Sequence, residues 1–335
     1  MKFEPYSSKY LNQVVELLAP LWGHLSMSLR KKYFTWKYLL NPSVKNSSCF
    51  VAIDETSGKV IAFRGFLVMQ YRFNDKKIFI VSYSDAVVNP EFSGKGIFKS
   101  LTIFGMKEME TMYKGLLYST ISNDSWRTSK TYIKLGSQPI AEKKVLYKIG
   151  YNPFLTSKEY NVTITKEVRV NEIYELSKQL QTKDKIVLDY SKAFIQWRFS
   201  NPATNYYFSY VYKNNELKAF IVFYKINKHR IYVLDYKYSN ERALKVGFNQ
   251  IHKSRNIMSQ LWSISKDNNE TSLLNKIGFK SYDKVINRIK KEDTPPVLIR
   301  PSGSDLENED SWLINGLDIR KEHNWDINLI CSDGI

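Results

Sequence analysis

The stretch from Ile78 to Tyr113, IFIVSYSDAVVNPEFSGKGIFKSLTIFGMKEMETMY, decides the fold. Residues 78–88 are rich in β-branched and aromatic side chains and free of Pro and Gly, which predicts a buried strand. Asn89-Pro90 ends it, because proline has no N–H for a sheet ladder and turns the residue before it away from helical geometry. After Glu91-Phe92-Ser93 come Gly94-Lys95-Gly96, then apolar residues at Ile97, Leu101, Phe104, Met109 and Met112 with mostly helical spacing. The unit is strand, glycine turn, helix.

Such a turn points several backbone N–H groups and the positive end of a helix dipole at one spot, which suits an anion of phosphate size. Glycine keeps any Cβ off the amides, and Lys95 and Lys99 bring positive charge to the rim. A tight connection without a ligand would carry the same pair of glycines. Two nucleotide motifs are excluded: there is no third glycine at GxGxxG spacing, and no GK[ST] follows a four-residue gap.

The segment PEFSGKGIFKSL resembles the pyrophosphate-binding motif of the GNAT superfamily of acyl-CoA-dependent N-acyltransferases, written [QR]-x-x-G-x-[GA]. Aligned on the glycine pair, Gly96 takes the central Gly, Ser93 stands at the Gln/Arg position and Phe98 where Gly or Ala is usual, so two of the three marked positions depart. The predicted order over residues 1–150 is similar to that of the same fold. A short strand at Phe3, a helix over 7–22 and a second helix over 29–40 lead to strands at 49–54, 60–71 and 78–88. The central helix, a strand at 116–121, a helix over 125–135 closed by Gly136 and one further strand over 138–149 follow. The fold class expected is therefore α/β with a mixed sheet.

What the resemblance implies for the site can be stated residue by residue. The loop amides of Ser93, Gly94, Lys95, Gly96, Ile97 and Phe98, with Lys99 beside them, hold the pyrophosphate of acetyl-CoA or another acyl-CoA. Main-chain groups of Val87 and Val88 pair with the pantetheine arm and polarise the thioester carbonyl. Asn123 holds the arm, and Tyr132, four residues before Gly136, gives its proton to the departing thiolate. With 23 tyrosines in the chain, Tyr132 is equally readable as a core aromatic. Asp85, a carboxylate in an otherwise apolar strand, is the first candidate for a base, ahead of Glu91 and Asp124; a local hydrogen-bonding role is its other reading.

The second half repeats the first. YFTWKYLLNPS (33–43) and FIQWRFSNPAT (194–204) share Trp, a basic residue, an aromatic and Asn-Pro, with a one-residue gap. A hairpin follows in each, at 50–71 and 206–224; then 230–238 matches the central strand, 241–253 the central helix, and WSISKDN the segment YSTISND. LLNKIGF aligns with TYIKLGS, which puts Leu274 opposite Tyr132, and YKYSNERALK stands opposite PEFSGKGIFK with no glycine. The expected organisation is two tandem GNAT-like domains: an acyl-CoA-binding domain at 1–150, a degenerate one at 156–291 unable to bind CoA, and at 292–335 a Pro-containing linker with an acidic segment anchored by Trp312 and Trp325.

Composition bounds the rest. With 335 residues, 43% of them hydrophobic and 14% aromatic, the chain has material for two cores. No apolar run reaches the roughly 18 residues of a membrane span and no signal peptide is visible, so a cytoplasmic protein is expected. Two cysteines, Cys49 and Cys331, and four scattered histidines give neither a disulfide framework nor metal-ligand spacing. The net charge of +17 is uneven: ten acidic and three basic residues follow position 291, a net of −7, leaving about +24 on residues 1–291. No DNA-binding motif accompanies it, so phosphate-bearing small ligands are expected rather than specific nucleic acid. The function expected is N-acyl transfer, most simply N-acetyl transfer, from acyl-CoA to a primary amine. Tandem GNAT proteins with a YFxWKYxxNP segment and a GKGIF loop resemble those of surface-polysaccharide genes, which points to an amino sugar, free or nucleotide-linked, as acceptor. The alternatives are a non-catalytic GNAT-like binding module with a basic surface, and an aminoacyl or long-chain acyl transferase on a double-GNAT plan.

Overall fold

A computed structural model describes residues 1–332 apart from 122–125, 153–154, 156–157, 254–257, 265–267, 282–294 and 304. In the first half, strand β1 (Lys2–Pro5) leads to helices α1 (Leu11–Leu17), α2 (Ala19–Trp22) and α3 (Met27–Phe34). Strands β2 (Cys49–Ile53), β3 (Val60–Phe73) and β4 (Lys76–Val88), helix α4 (Ile97–Met112), β5 (Leu117–Ser119), α5 (Trp126–Lys134), β6 (Gln138–Ala141) and β7 (Lys144–Ile149) follow. The helix expected over 7–22 is interrupted at Leu18, because Pro20 cannot donate to an unbroken ladder. The Ser26 hydroxyl accepts from Leu29 N–H to start α3, which runs on through a wider turn at Thr35–Leu39.

The second half runs β8 (Asn161–Thr165), α6 (Val170–Gln179), β9 (Ile186–Leu188), α7 (Lys192–Phe199), β10 (Tyr206–Lys213), β11 (Glu216–Asn227), β12 (Arg230–Tyr238), α8 (Glu241–Lys253), β13 (Met258–Ser263), α9 (Asn268–Ile277) and β14 (Lys280–Ser281). The last segment adds β15 (Val297–Pro301) and three two-residue strands, β16 (Leu313–Ile314), β17 (Leu317–Asp318) and β18 (Trp325–Asp326). Duplication is visible atom by atom. Ser191 caps α7 through Phe194 N–H as Ser26 caps α3. The Asn41 and Asn201 side chains each accept from the backbone N–H two residues on. Gly136 and Gly278, both at positive φ, close α5 and α9 with the same bonds, Ser137 N–H to Tyr132 C=O and Phe279 N–H to Leu274 C=O.

Two sheets result. One runs β1-β2-β3-β4-β5-β15-β6, with β9 also on β3 and β18 on β9; the other runs β14-β7-β13-β12-β11-β10-β8. In each the only parallel pair at its centre, β4 with β5 and β12 with β13, spans the strand-turn-helix crossover. The expected single strand over 138–149 is two: it breaks at Glu142-Lys143, β6 stays in the first sheet and β7 pairs with β13 and β14 in the second. In return β15, from the segment expected to be a linker, lies between β5 and β6 of the first sheet. Its Val297, Leu298 and Ile299 are fully buried, which no solvated linker could be. The sheets therefore do not respect a boundary at 150 or at 291. The tail is packed as expected around Trp312 and Trp325, whose indole N–H groups donate to Leu306 and Ile319 carbonyls.

Between the halves, Trp36 and Trp197 stack at 5.1 Å with 12° between rings, and each indole N–H donates to the other's backbone carbonyl, at 2.7 and 2.8 Å. One apolar cluster joins both halves there, while a second lies under α8 and α9 and a third under α4 and α5. Among the described residues no helix is long and apolar enough to cross a membrane, and no group of His, Cys, Asp and Glu is placed to hold a metal ion.

Exchange of β7 for β15 makes each half incomplete by itself. The full chain should lose tryptophan fluorescence and far-ultraviolet circular dichroism in one coincident denaturant transition, and residues 1–150 produced alone should show none. Two separated transitions in the full chain would mean that the sheets fold independently.

Candidate active site

The site is built on the end of β4. This strand stays paired with β3 as far as Val88, but its pairing with β5 covers only Ile80–Ser82. Beyond Ser82 no pairing with β5 continues among the described residues, so main-chain groups of β4 face that side without a strand partner there. Asn89 N–H donates to Ile61 C=O of β3, so strand alternation turns the amide and carbonyl of Val88 to the open side and those of Val87 back to β3. Of the two main-chain groups expected to meet a pantetheine arm, Val88 is the one so placed.

At the end of β4, Asn89 accepts from Glu91 N–H and sets up a tight turn through Pro90–Phe92. Gly94 (φ 79°) and Gly96 (φ 73°) both sit in the left-handed region, and a Cβ built on either would meet nothing within 4 Å. The left-handed backbone, rather than crowding, is what calls for glycine at both positions. The 16-residue helix α4 starts at Gly96 with no side chain capping it. Ser93, Lys95 and Lys99 are exposed, while Ile97 is buried. Phe98 turns inward, packed with the cluster under α4 and 5.6 Å from the Arg64 guanidinium, so its bulk leaves the turn free. An uncapped helix start with exposed lysines beside it is a chemistry suited to an anion. Helix α8 in the second half is already closed: the Asn240 side chain accepts from Ala243 N–H and from the Tyr160 hydroxyl, each at 3.0 Å.

Tyr132, on α5, is buried and stacks on Tyr83 of β4 at 4.0 Å. Its hydroxyl oxygen accepts from Arg64 Nη2 at 3.0 Å. The phenolic proton has no acceptor among the described residues. Asn123 and Asp124 lie outside those residues, and Glu91 is exposed. Arg64 was not among the residues singled out from sequence. A lone arginine inside the apolar run VIAFRGFLVM was the signal for it.

Asp85 sits in a bulge where Ser84 and Asp85 together face Gly65 of β3. Three donors hold its carboxylate: Lys37 Nζ at 2.7 Å, the Tyr38 hydroxyl at 2.6 Å and Trp22 Nε1 at 3.3 Å. Lys37 is 2% exposed and Asp85 14%. Burial, and then the charge of Asp85, push the Tyr38 phenol far up, so it remains a donor. Gly65 is required because a Cβ there would overlap the Tyr38 hydroxyl. Asp85 is thus held in the bulge by side chains 47 to 63 residues away, which is neither the local hydrogen-bonding role expected of it nor a free base. The bulge recurs at Leu234-Asp235 of β12, where Tyr190 and Asn328 donate to Asp235.

No protein-family model matches the sequence, and a search of curated proteins finds no match. Solved structures do match. A GCN5-related N-acetyltransferase from Anabaena variabilis superposes with a TM-score of 0.67 at 14% identity, over 92% of this chain and 74% of that one. A tandem GNAT protein from the clavulanic acid biosynthesis pathway gives 0.57 at 10% identity, over 91% and 99%. N-myristoyltransferase from Saccharomyces cerevisiae, with bound myristoyl-CoA, gives 0.57 at 12% identity, over 97% and 85%. The fold is the tandem GNAT fold, the fold of N-acyltransferases; at these identities the roles of residues rest on the geometry above.

Replacing Lys37 by Met should cost about 3–5 kcal/mol, because Asp85 is left as a buried charge with its strongest partner gone. Lys37→Met combined with Asp85→Asn should recover most of that loss. Chemical denaturation of the three variants measures the coupling, and additive losses would mean that the pair is not the unit holding the bulge.

Proposed function

We propose that this chain is an acyl-CoA-dependent N-acyltransferase acting on a primary amine, with its active site in the first half. One observation carries the reading: in that half an uncapped helix start behind two left-handed glycines occurs with a buried phenol whose proton has no acceptor among the described residues. In the second half β12 likewise outruns its pairing with β13, but Asn240 caps the helix start and Leu274 replaces the phenol. Amides from Ser93 to Phe98 would bind the pyrophosphate, with Lys95 and Lys99 adding charge. Val88 would meet the pantetheine arm, and Tyr132 would protonate the leaving sulfur. The thioester supplies the activated acyl group. Exposed Lys95 and Lys99 and the basic body draw a polyanionic cosubstrate to the turn.

An amino sugar is the acceptor we favour, on the sequence resemblance alone, and an acetyl group the simplest acyl. Calorimetric titration with acetyl-CoA and CoA tests the reading first. Binding at one site per chain is expected, and Gly96→Glu should abolish it by placing a side chain and a negative charge where the pyrophosphate belongs. Failure of the wild-type protein to bind either ligand would overturn the enzyme reading in favour of a binding module.

Tyr132→Phe keeps the ring that stacks on Tyr83 and removes only the hydroxyl. With an amino-sugar panel as acceptors, kcat should fall by up to about 10²-fold, the range for a general acid, while acetyl-CoA affinity is nearly unchanged. Wild-type turnover by this variant, where chemistry is limiting, would leave Tyr132 as a packing residue.

A further inference from the structure

Arg64 is 1% exposed and makes no ion pair with any described residue. Its Nη2 donates to the Tyr132 hydroxyl, its Nη1 reaches Ser84 C=O at 3.5 Å, and its Nε has no partner. The rings of Phe66, Tyr83, Phe98 and Tyr132 surround the guanidinium at 5.1 to 5.6 Å. Aromatic faces offset part of its desolvation, but a buried cation without a counter-charge is normally selected against. The duplication provides an internal control. Aligned on the shared Ala-Phe pairs at 62–63 and 219–220, Arg64 falls opposite Ile221, and the register agrees: Arg64 pairs with Ala86 and Ile221 with Tyr236, each on the same side of its bulge. Tyr132 falls opposite Leu274. Both Ile221 and Leu274 are fully buried, so the fold is content with two apolar residues at this place. The arginine and the tyrosine are therefore an addition to the first half, and a cation there calls for negative charge.

We propose that Arg64 is a positioning residue for the leaving group, acting through Tyr132 to favour negative charge on the sulfur end of bound CoA. This rests on the acyl-CoA reading above. In the transfer, the amine nitrogen bonds to the thioester carbonyl carbon, the C–S bond breaks, and its electron pair goes to sulfur. Tyr132 passes its proton to that sulfur, leaving a phenolate 3.0 Å from Arg64 Nη2. The surplus proton on the new amide nitrogen goes to solvent and Tyr132 regains one from solvent, so the products are an amide and a thiol with no net change of charge. A fixed guanidinium at that distance stabilises the negative charge without rearrangement.

The test needs no acceptor. Coenzyme A and desulfo-coenzyme A differ only in the thiol, so the ratio of their affinities isolates the sulfur. A free thiol titrates near pH 8.5. Among the described residues, the other groups facing the pair do not confuse the reading: burial raises the phenols of Tyr83 on β4 and Tyr118 on β5, and Arg300 of β15 is matched by Glu110 of α4 at 3.6 Å. In the wild-type protein, preference for CoA over the desulfo analogue should grow about tenfold between pH 7 and 9.5, the effect of a one-unit drop in the thiol's pKa on binding. Arg64→Ile, which installs the residue of the second half, should leave the ratio flat, and so should Tyr132→Phe, which cuts the relay with Arg64 in place. A flat ratio in the wild type, or an unreduced rise in either variant, overturns the proposal while acyl-CoA binding stands. No binding of either ligand to the wild type overturns the acyl-CoA reading itself and this inference with it.

Discussion

Trp36 and Trp197 occupy equivalent places in two copies of one motif, and each donates its indole N–H to the backbone of the other. A contact in which a residue and its duplicate exchange the same bond is self-complementary, as at the centre of a symmetric dimer. Much else hangs from it. The turn that carries Trp36 goes on to place Lys37 and Tyr38 on Asp85, so the bulge that opens β4 is fixed from the junction of the halves. The turn that carries Trp197 places Arg198 instead on the carbonyl of Ser332, tying down the C-terminal segment. One interaction thus serves both halves, holding Asp85 in the bulge of β4 in one and the C-terminal segment in the other.

Strand exchange extends the same dependence to the candidate acid. Leu298 of β15 donates its N–H to the Thr120 hydroxyl and accepts from Thr120 N–H at the end of β5, where the sheet divides. Arg300 of the same strand lies over the ring of Tyr118, Tyr118 stacks on Tyr83, and Tyr83 stacks on Tyr132. A continuous pile of rings therefore runs from the C-terminal segment to the phenol. The phenol and the C-terminal segment are thus linked through packed rings.

Local pattern revealed much of this. Strand over 78–88, glycine turn and helix over 97–112, together with the repeated Trp, basic, aromatic and Asn-Pro motif, were readable because each depends on neighbours in sequence. Sheet membership was not. Residues 144–149 alternate like any half-buried strand, and VLIRP at 297–301 is short and flanked by prolines, so nothing local says that the two trade places; partner choice is set by long-range packing. The charge partners were hidden for the same reason. Asp85 looks solitary in its own strand, yet its partners come from 48, 47 and 63 residues away.

Comparison of the halves shows what the fold does not need. Asn240 closes one helix start with its own side chain, where Gly96 leaves the other open; Ile221 and Leu274 fill one core position that Arg64 and Tyr132 occupy in the other. In every case the second half holds the cheaper solution, a satisfied cap or an apolar contact, and the first half holds the costly one. Both halves retain the bulge and its aspartate, so the bulge belongs to the architecture. The uncapped helix start, and the guanidinium and phenol that lack a counter-charge and an acceptor among the described residues, do not. Costs that the same fold avoids elsewhere mark where the first half departs from what folding alone requires.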